Sequence, residues 1–380
     1  MNVLMIRDSP ILSDSRALKE AKVLVDQGYR VKVLGWDENS DLKDRQTVYR
    51  HTQIDIHYSK IKLSYKFKYL KVWSYFLYQI FLVRYLLKNK TSYDVIHACN
   101  IQTAFISNIM AKILQKKIVY DIFDFMPDTR NYPRILRYLL VKIDYYTINR
   151  VDAVILCSDE RIQQIEGSKP KKTIIIYNSP DNLVLNKLLP NENSSKEEFS
   201  LVYIGGLTAY RMIPELLDIV QRSNKLSLNI AGNGQYRELV ENLSKVNDKI
   251  HYLGEIPYKD VQQIEINSDI MIALYDPEIK NHKYASPNKF FEALQLGKPV
   301  IMIKGTGMSQ WLEEYKFGVL IEPTQASLKE GIDLLLAKKN HWEEESLVMR
   351  RLYEKKFSWV LMEKKIVNLY EDLIGENNEY

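Results

Sequence analysis

The sequence predicts an α/β protein of two domains, and three observations predict it. At 380 residues the chain is long enough for two domains of ordinary size, each with its own core. Short apolar strands alternate with helical stretches through residues 1–180. A polar, unpatterned segment at 181–198 then gives way to a second alternating series. The reading is a domain at 1–180, a linker at 181–198 and a domain reaching 359, with a last helix at 360–380.

Asn2–Ile6 is an apolar strand, and Ser13-Asp14-Ser15 caps a helix that runs to about Gln27. Gly28 ends that helix and Arg30–Leu34 is the next strand. Such a βαβ opening implies a parallel sheet with ligands near the C-terminal ends of its strands. The loop Arg7–Ser13 lies at such an end without a GxGxxG pattern, so it suits an acceptor better than a nucleotide. Tyr93–His97, Lys117–Tyr120, Ala153–Cys157 and Lys172–Tyr177 are further strands, with helices to about Leu114 and over Leu136–Asn149. His97, Asp121 and Asp124 fall at or just past strand ends, where a carboxylate is either a turn residue or a catalytic one.

Residues 61–90 hold seven Lys or Arg, no acid and nine aromatics. Two readings stand. Rings and cations together suit an anionic membrane surface, and the same segment suits a helix covering a sheet. Its apolar part, Val72–Val83, is too short to span a bilayer.

In the second half, Ser200–Ile204 leads to Gly205-Gly206-Leu207, a helix follows around Pro214–Gln221, and Leu226–Ala231 leads to Gly232-Asn233-Gly234. These glycines form plain turns or let backbone approach a ligand. His251–Leu253, Asp269–Leu274 and Pro299–Ile303 are further strands, and Trp359–Leu373 has helical periodicity. Between the last two of those strands lies Ser286–Gly297, with Ser286 as N-cap, Pro287 at the first helical position and Gly297 as its stop. The helix start favours phosphate, Lys289 adds a mobile charge, and Glu292 shares a face with Asn288 one turn on. It reads either as an ordinary capped helix or as a nucleotide-diphosphate site whose carboxylate takes ribose hydroxyls.

The net charge of +5 hides an asymmetry. Residues 1–180 carry 29 Lys and Arg against 18 Asp and Glu, and the remaining 24 and 30 leave the second half acidic. A basic first half draws an anionic surface or substrate, and no nucleic-acid motif accompanies it. Two distant cysteines, Cys99 and Cys157, suggest neither a disulfide framework nor a zinc site. No signal-peptide pattern opens the chain, and a cytoplasmic protein is expected.

The order and spacing of these segments resemble the GT-B glycosyltransferases, two Rossmann-like domains facing across a cleft with a C-terminal helix crossing back. The match resembles most the retaining family 4 group of bacterial surface polysaccharide biosynthesis. Asp14–Ala21 through Gly28–Val31, Asp94–His97, Val119–Asp121, Val151–Val154 and Asn178–Asp181 resemble its first domain. Tyr203–Leu207, Ala231–Gly234, Tyr252–Pro257, Ser286–Gly297 and Phe357-Ser358-Trp359 resemble its second.

The resemblance implies transfer of a sugar from a UDP- or GDP-type nucleotide sugar, without metal or other cofactor, to a hydroxyl of a lipid-linked glycan. Gly205, Gly206, Arg211, Gly232, Gly234, Ile256, Ser286, Asn288, Lys289 and Glu292 would bind the donor. Arg211 and Lys289 would meet the diphosphate, and the loop of Ile256 would lie beside the base. Asp121 and Asp124, with His97 as an outside candidate, would stand near the reacting centre. The pattern departs from the family at Gly206 where Arg is frequent, at Tyr284 where a sugar-contacting Glu is frequent, and at Phe123 where His is frequent. A sugar-nucleotide epimerase and an inert donor-binding partner subunit are the alternatives. The expected location is peripheral, at the inner face of the cell membrane.

Overall fold

A computed structural model describes residues 1–37, 41–49, 51–62, 68–181 and 198–375. The chain divides into two compact units, Met1–Tyr177 together with Leu361–Tyr380, and Asn178–Val360. Of the expected linker, 182–197 lies outside the described residues.

The first unit contains β1 (Asn2–Ile6), α1 (Ser15–Asp26), β2 (Arg30–Trp36), β3 (Arg45–Tyr49), β4 (Thr52–Ser59) and α2 (Lys68–Lys88). It continues with β5 (Val95–Cys99), α3 (Ile101–Leu114), β6 (Lys117–Ile122), α4 (Arg134–Ile148), β7 (Ala153–Leu156) and β8 (Thr173–Ile175). Its sheet runs β3-β4-β2-β1-β5-β6-β7-β8, parallel except for the β3–β4 hairpin at the edge. β1, β5, β6 and β7 are apolar almost throughout because helices cover both faces of a parallel sheet. β4, next to the edge, instead alternates, with Ile54, Ile56 and Tyr58 buried and Gln53 exposed.

Local signals place the first helix as read. The Asp14 carboxylate accepts from the Ala17 N–H at 3.1 Å, and Ala17, Ala21 and Leu24 are fully buried. The sheet-covering reading of α2 holds for its second half. Tyr78, Leu82 and Leu86, one turn apart, are fully buried, and Tyr78 stacks on Trp36 at 4.2 Å. Val72, Trp73, Phe76 and Leu77, in its first half, are exposed. Residues 63–67, including Tyr65 and Phe67, lie outside the described residues.

The second unit contains β9 (Phe199–Ile204), α5 (Ile213–Arg222), β10 (Leu226–Ala231), α6 (Arg237–Val246), β11 (Ile250–Tyr252), α7 (Tyr258–Ile266) and β12 (Ile270–Ala273). It ends with α8 (Asn288–Leu296), β13 (Val300–Ile303), α9 (Ser309–Tyr315), β14 (Val319–Ile321), α10 (Gln325–Ala337) and α11 (Trp342–Leu352). α12 (Trp359–Gly375) follows and supplies the return of the chain to the first unit. The second sheet is wholly parallel, in the order β11-β10-β9-β12-β13-β14. α5 shows why its residues make a helix there: Ile213, Leu216, Leu217 and Val220 are buried at helical spacing against this sheet.

Each sheet reverses its strand order once, between β1 and β5 in the first unit and between β9 and β12 in the second. Crevices at such points are where ligands enter open α/β sheets. Among the described residues, no helix is long and apolar enough to cross a membrane.

Candidate functional site

In the second unit the loops that follow β9, β10 and β11 are tied into one ladder. Gly205 N–H donates to Ala231 O at 3.0 Å, Leu207 N–H to Asn233 O at 2.9 Å and Gly232 N–H to Gly254 O at 2.8 Å. Gly232 and Gly234 have φ of +135° and +149°, and a Cβ on either would collide with the backbone of Gly205 or Leu207. Their small size is therefore explained by close packing of loop on loop, without recourse to a ligand. Gly205 and Gly206 have room around them, and Gly206 is exposed beside half-buried Gly205. Half-buried Ile256 closes the third loop.

Arg211 ends a short helical turn at the β9–β12 crevice. Its guanidinium lies 3.3 Å from the centroid of the Tyr275 ring and donates to Leu274 O at 3.3 Å. The ring and the carbonyl both come from the chain just past β12, so the two sides of the crevice hold Arg211 between them. Tyr203, whose hydroxyl donates to Gly206 O at 2.7 Å, lies within electrostatic reach of Arg211, Tyr275 and Lys289. Tyr275 escaped sequence reasoning because one aromatic after a strand carries no signal until its partner is known.

α8 corrects three expectations. Ser286 is not its cap: Pro287 occupies the cap position, no side chain caps the helix, and the Ser286 hydroxyl is buried without a hydrogen-bond partner. Lys289 is not a mobile charge. It is 8% exposed, and its ammonium donates to Glu265 at 2.8 Å and to Glu292 at 2.6 Å. Glu292 is buried more deeply still, and its carboxylate also shares a hydrogen bond with the Glu265 carboxyl. Asn288 alone of this set is exposed. The physical reason is that α8 is covered nearly all round, with Lys289 through Leu296 buried, so its charges have to pair internally.

Glu265, from α7, is the partner that sequence reading missed. Burial, then the nearby Glu292 charge, pushes its carboxyl up to about 8. Burial works against the Lys289 charge, but the two carboxylates more than offset this and hold its pKa above the usual lysine range.

In the first unit, β5 and β6 bring His97 and Asp121 together as expected, but inside the fold. Arg16 donates to Asp121 at 2.9 Å, His97 Nε2 lies 3.4 Å from Glu20 and 3.6 Å from Asp121, and His97 Nδ1 meets the Tyr370 hydroxyl of α12 at 2.7 Å. Burial favours the neutral carboxyl of Asp121, yet the Arg16 charge outweighs it and holds Asp121 below the carboxylate range. Burial and the neighbouring Asp121 push the Glu20 carboxyl far above the usual carboxylate range. His97, Cys99 and Asp121 offer atoms within reach of a common cation, but Arg16 already supplies positive charge there.

Asp124 stands apart, its side chain more than half exposed and paired with Arg161 at 3.2 Å. The Phe123 ring lies beneath both Arg7, at 4.5 Å, and Arg16, at 4.9 Å. A protonated histidine at 123 would be repelled by both cations, which fits the departure from the family there. Asn100, at the β1–β5 crevice, was also missed. Its φ of 66° with ψ of 162° is a conformation kept almost wholly for glycine, a strain of about 1–3 kcal/mol. Its side chain accepts from the Phe123 and Asp124 N–H groups at 3.2 and 3.3 Å and donates to Asp8 at 3.4 Å.

With this geometry in place, two family models match the chain: residues 16–181 match Glycosyltransferase Family 4, and residues 186–350 match Glycosyl transferases group 1. The chain is a GT-B glycosyltransferase. Similar solved structures include sucrose-phosphate synthase from Thermosynechococcus elongatus, at 14% identity and a TM-score of 0.75, covering 99% of this chain and 100% of that one. HepE from Anabaena, in complex with UDP-glucose, is 16% identical with a TM-score of 0.71, covering 98% and 100%. WaaG, a glycosyltransferase involved in lipopolysaccharide biosynthesis, is 12% identical with a TM-score of 0.68, covering 96% and 98%. No curated protein matches the chain in sequence.

Proposed function

We propose that this glycosyltransferase moves a sugar, retaining its anomeric configuration and without a metal ion, from a UDP- or GDP-type sugar to a hydroxyl of a lipid-linked glycan. The setting is capsule, exopolysaccharide or O-antigen assembly at the inner face of the cell membrane. The observation that carries the donor assignment is Arg211, partly exposed and braced on Tyr275 at the switch point of the second sheet. A cation held there meets the charge that grows on a departing diphosphate, where fixed electrostatic stabilisation acts most strongly. In this reading Glu292 takes the ribose hydroxyls, while Lys289 holds one of its oxygens in place. HepE, solved with UDP-glucose, supports a nucleotide-sugar donor.

Asp124 is the acid or base of this reading that faces solvent, with Asp121 and His97 supporting it from the buried network. A donor-binding subunit without transferase activity is the second reading, favoured by the closed packing of Asp121 and His97. Mass spectrometry of products from a panel of UDP- and GDP-sugars, with polyisoprenoid-diphosphate glycans as acceptors, separates these readings. A glycosylated acceptor with released nucleotide diphosphate supports transfer. An isomerised nucleotide sugar with no diphosphate released points to an epimerase, and donor binding with no product points to the inert subunit. Glu292→Gln is expected to weaken donor binding by ~1–3 kcal/mol in calorimetry. Unchanged affinity in the folded variant removes Glu292 from the donor site.

A further inference from the structure

A cavity of about 440 Å³ opens at the N-terminal edge of the first sheet, framed by the ends of α3 and α4 and the starts of β6 and β7. Small-molecule sites run from about 300 to 1,000 Å³, so its size is that of a ligand site. Ile118, in its wall, stands four residues before Ile122, which puts the cavity about 13 Å along β6 from the edge where Asp121 and Asp124 lie. No residue assigned above to the donor or to the reacting centre lines it.

Four cations rim the cavity: Lys112 in the last turn of α3, Lys116 just beyond it, Arg150 just beyond α4 and Lys171 just before β8. Among the described residues the lining has one acid, Asp152, and both of its oxygens are engaged. One accepts from the Ile118 N–H at 2.9 Å and fastens β7 to β6, and the other accepts from Lys171 at 3.0 Å. Lys112, Lys116 and Arg150 have no acidic partner among the described residues. The Lys116 ammonium lies 5.6 Å from the Tyr93 ring and the Arg150 guanidinium 3.8 Å from the Tyr146 ring.

Cations at helix ends ordinarily complement the helix dipole, and Arg150 does donate to Tyr146 O at 3.4 Å. That role asks nothing of Asn108. Asn108 precedes Lys112 by one turn on the same face of α3, is only 5% exposed and lines the cavity. Among the described residues its side-chain amide has no hydrogen-bond partner. A buried amide left open costs free energy that an entering acceptor recovers. Ile109 and Ile113 give the same cavity an apolar side. Unpaired cations, an open amide donor and an apolar wall converge on one ligand chemistry, an anionic oxygen cluster carried on an apolar body.

We propose that this cavity is a second ligand site, taking a phosphate monoester with a compact ring as its body. The phosphate oxygens meet Lys112, Lys116 and Arg150, the Asn108 amide donates to one of them, and the ring lies on Ile109 and Ile113. The site stands apart from sugar transfer and does not rest on it. Because its ligand joins the ends of two helices to the starts of two strands, occupancy stabilises the first unit.

The test is calorimetry of the full chain with phenyl phosphate, inorganic phosphate and phenol. The wild type is expected to bind phenyl phosphate at least tenfold more tightly than either of the others, and to melt at a higher temperature in its presence. The Lys112→Gln/Arg150→Gln variant changes two exposed side chains and is expected to lose at least tenfold in affinity together with the thermal shift. Asn108→Ala is expected to bind about threefold more weakly. Arg211→Ala, in the second unit, is expected to bind phenyl phosphate as wild type does. Absent wild-type binding, an unchanged Lys112→Gln/Arg150→Gln variant, or inorganic phosphate bound as tightly as phenyl phosphate each overturns the proposal. So does binding that Arg211→Ala abolishes and Lys112→Gln/Arg150→Gln keeps, since the anion would then sit in the second unit.

Discussion

In the first unit the crevice between β1 and β5 is backed by a closed network of Arg16, Glu20, His97 and Asp121, sealed by Tyr370 from the far end of the chain. In the second unit the matching crevice, between β9 and β12, keeps Arg211 partly open on Tyr275. Strand order is alike around both reversals. What differs is where the charge is balanced. The first unit neutralises Arg16 from within, and the second leaves Arg211, braced on a ring and a carbonyl, for something outside to complete. A shared fold therefore assigns no role by itself; the residues at the switch point do.

Three substitutions press on that contrast. The largest effect is expected from Arg16→Met, which strips Asp121 of its buried partner and is expected to cost about 3–5 kcal/mol of stability in urea unfolding. Nucleotide-diphosphate affinity, a property of the second unit, is expected to stay as in wild type. A stability change below 1 kcal/mol breaks the claim that the network is internally balanced. Next, Arg211→Ala is expected to lower kcat/KM for the donor about 10²–10³-fold, or roughly 2.7–4 kcal/mol, with little change in unfolding midpoint. A loss below threefold would detach Arg211 from the departing diphosphate.

The smallest effect at neutral pH is expected from Glu265→Gln, because a carboxyl pushed up to about 8 is largely protonated there and Gln resembles it. The sign follows from linkage. A carboxyl whose folded pKa is raised contributes stability that is complete below its unfolded pKa, near 4.5, and is lost as pH rises through about 8. Wild-type thermal midpoints are therefore expected to fall between pH 5 and 9, and the Gln variant is expected to flatten that slope. An equal slope in both moves the effect elsewhere, with Asp144, pushed up to about 7 by burial, as the next group to replace.

What could be read in the sequence was local. Asp14 caps α1 across three residues and Gly297 ends α8 with a φ of +66°, and each needs only its own neighbourhood. The strands announced themselves as apolar runs because parallel sheets are buried on both faces. The alternation of Ile54, Ile56 and Tyr58 was available as a signal for β4 and its hairpin and went unused. The buried ion pairs were out of reach. Arg16 meets Asp121 across 105 positions, and Lys289 meets Glu265 across 24. A lysine at a helix start reads as solvated until the helix behind it proves to be covered. The exposure of Ile135, Leu136, Tyr138 and Leu139 on α4 carried no signal in the sequence, where only the extent of the helix was legible.

Tyr370 carries one more consequence, for synthesis on the ribosome. The first unit receives its last helix only after the 183 residues from 178 to 360 have been made. At ordinary elongation rates that delay is about 10–40 s. Throughout it, His97 waits without the hydroxyl that will meet its ring, while a second unit that needs nothing further from upstream is already emerging. The part of the enzyme that is translated first is thus the part that is finished last.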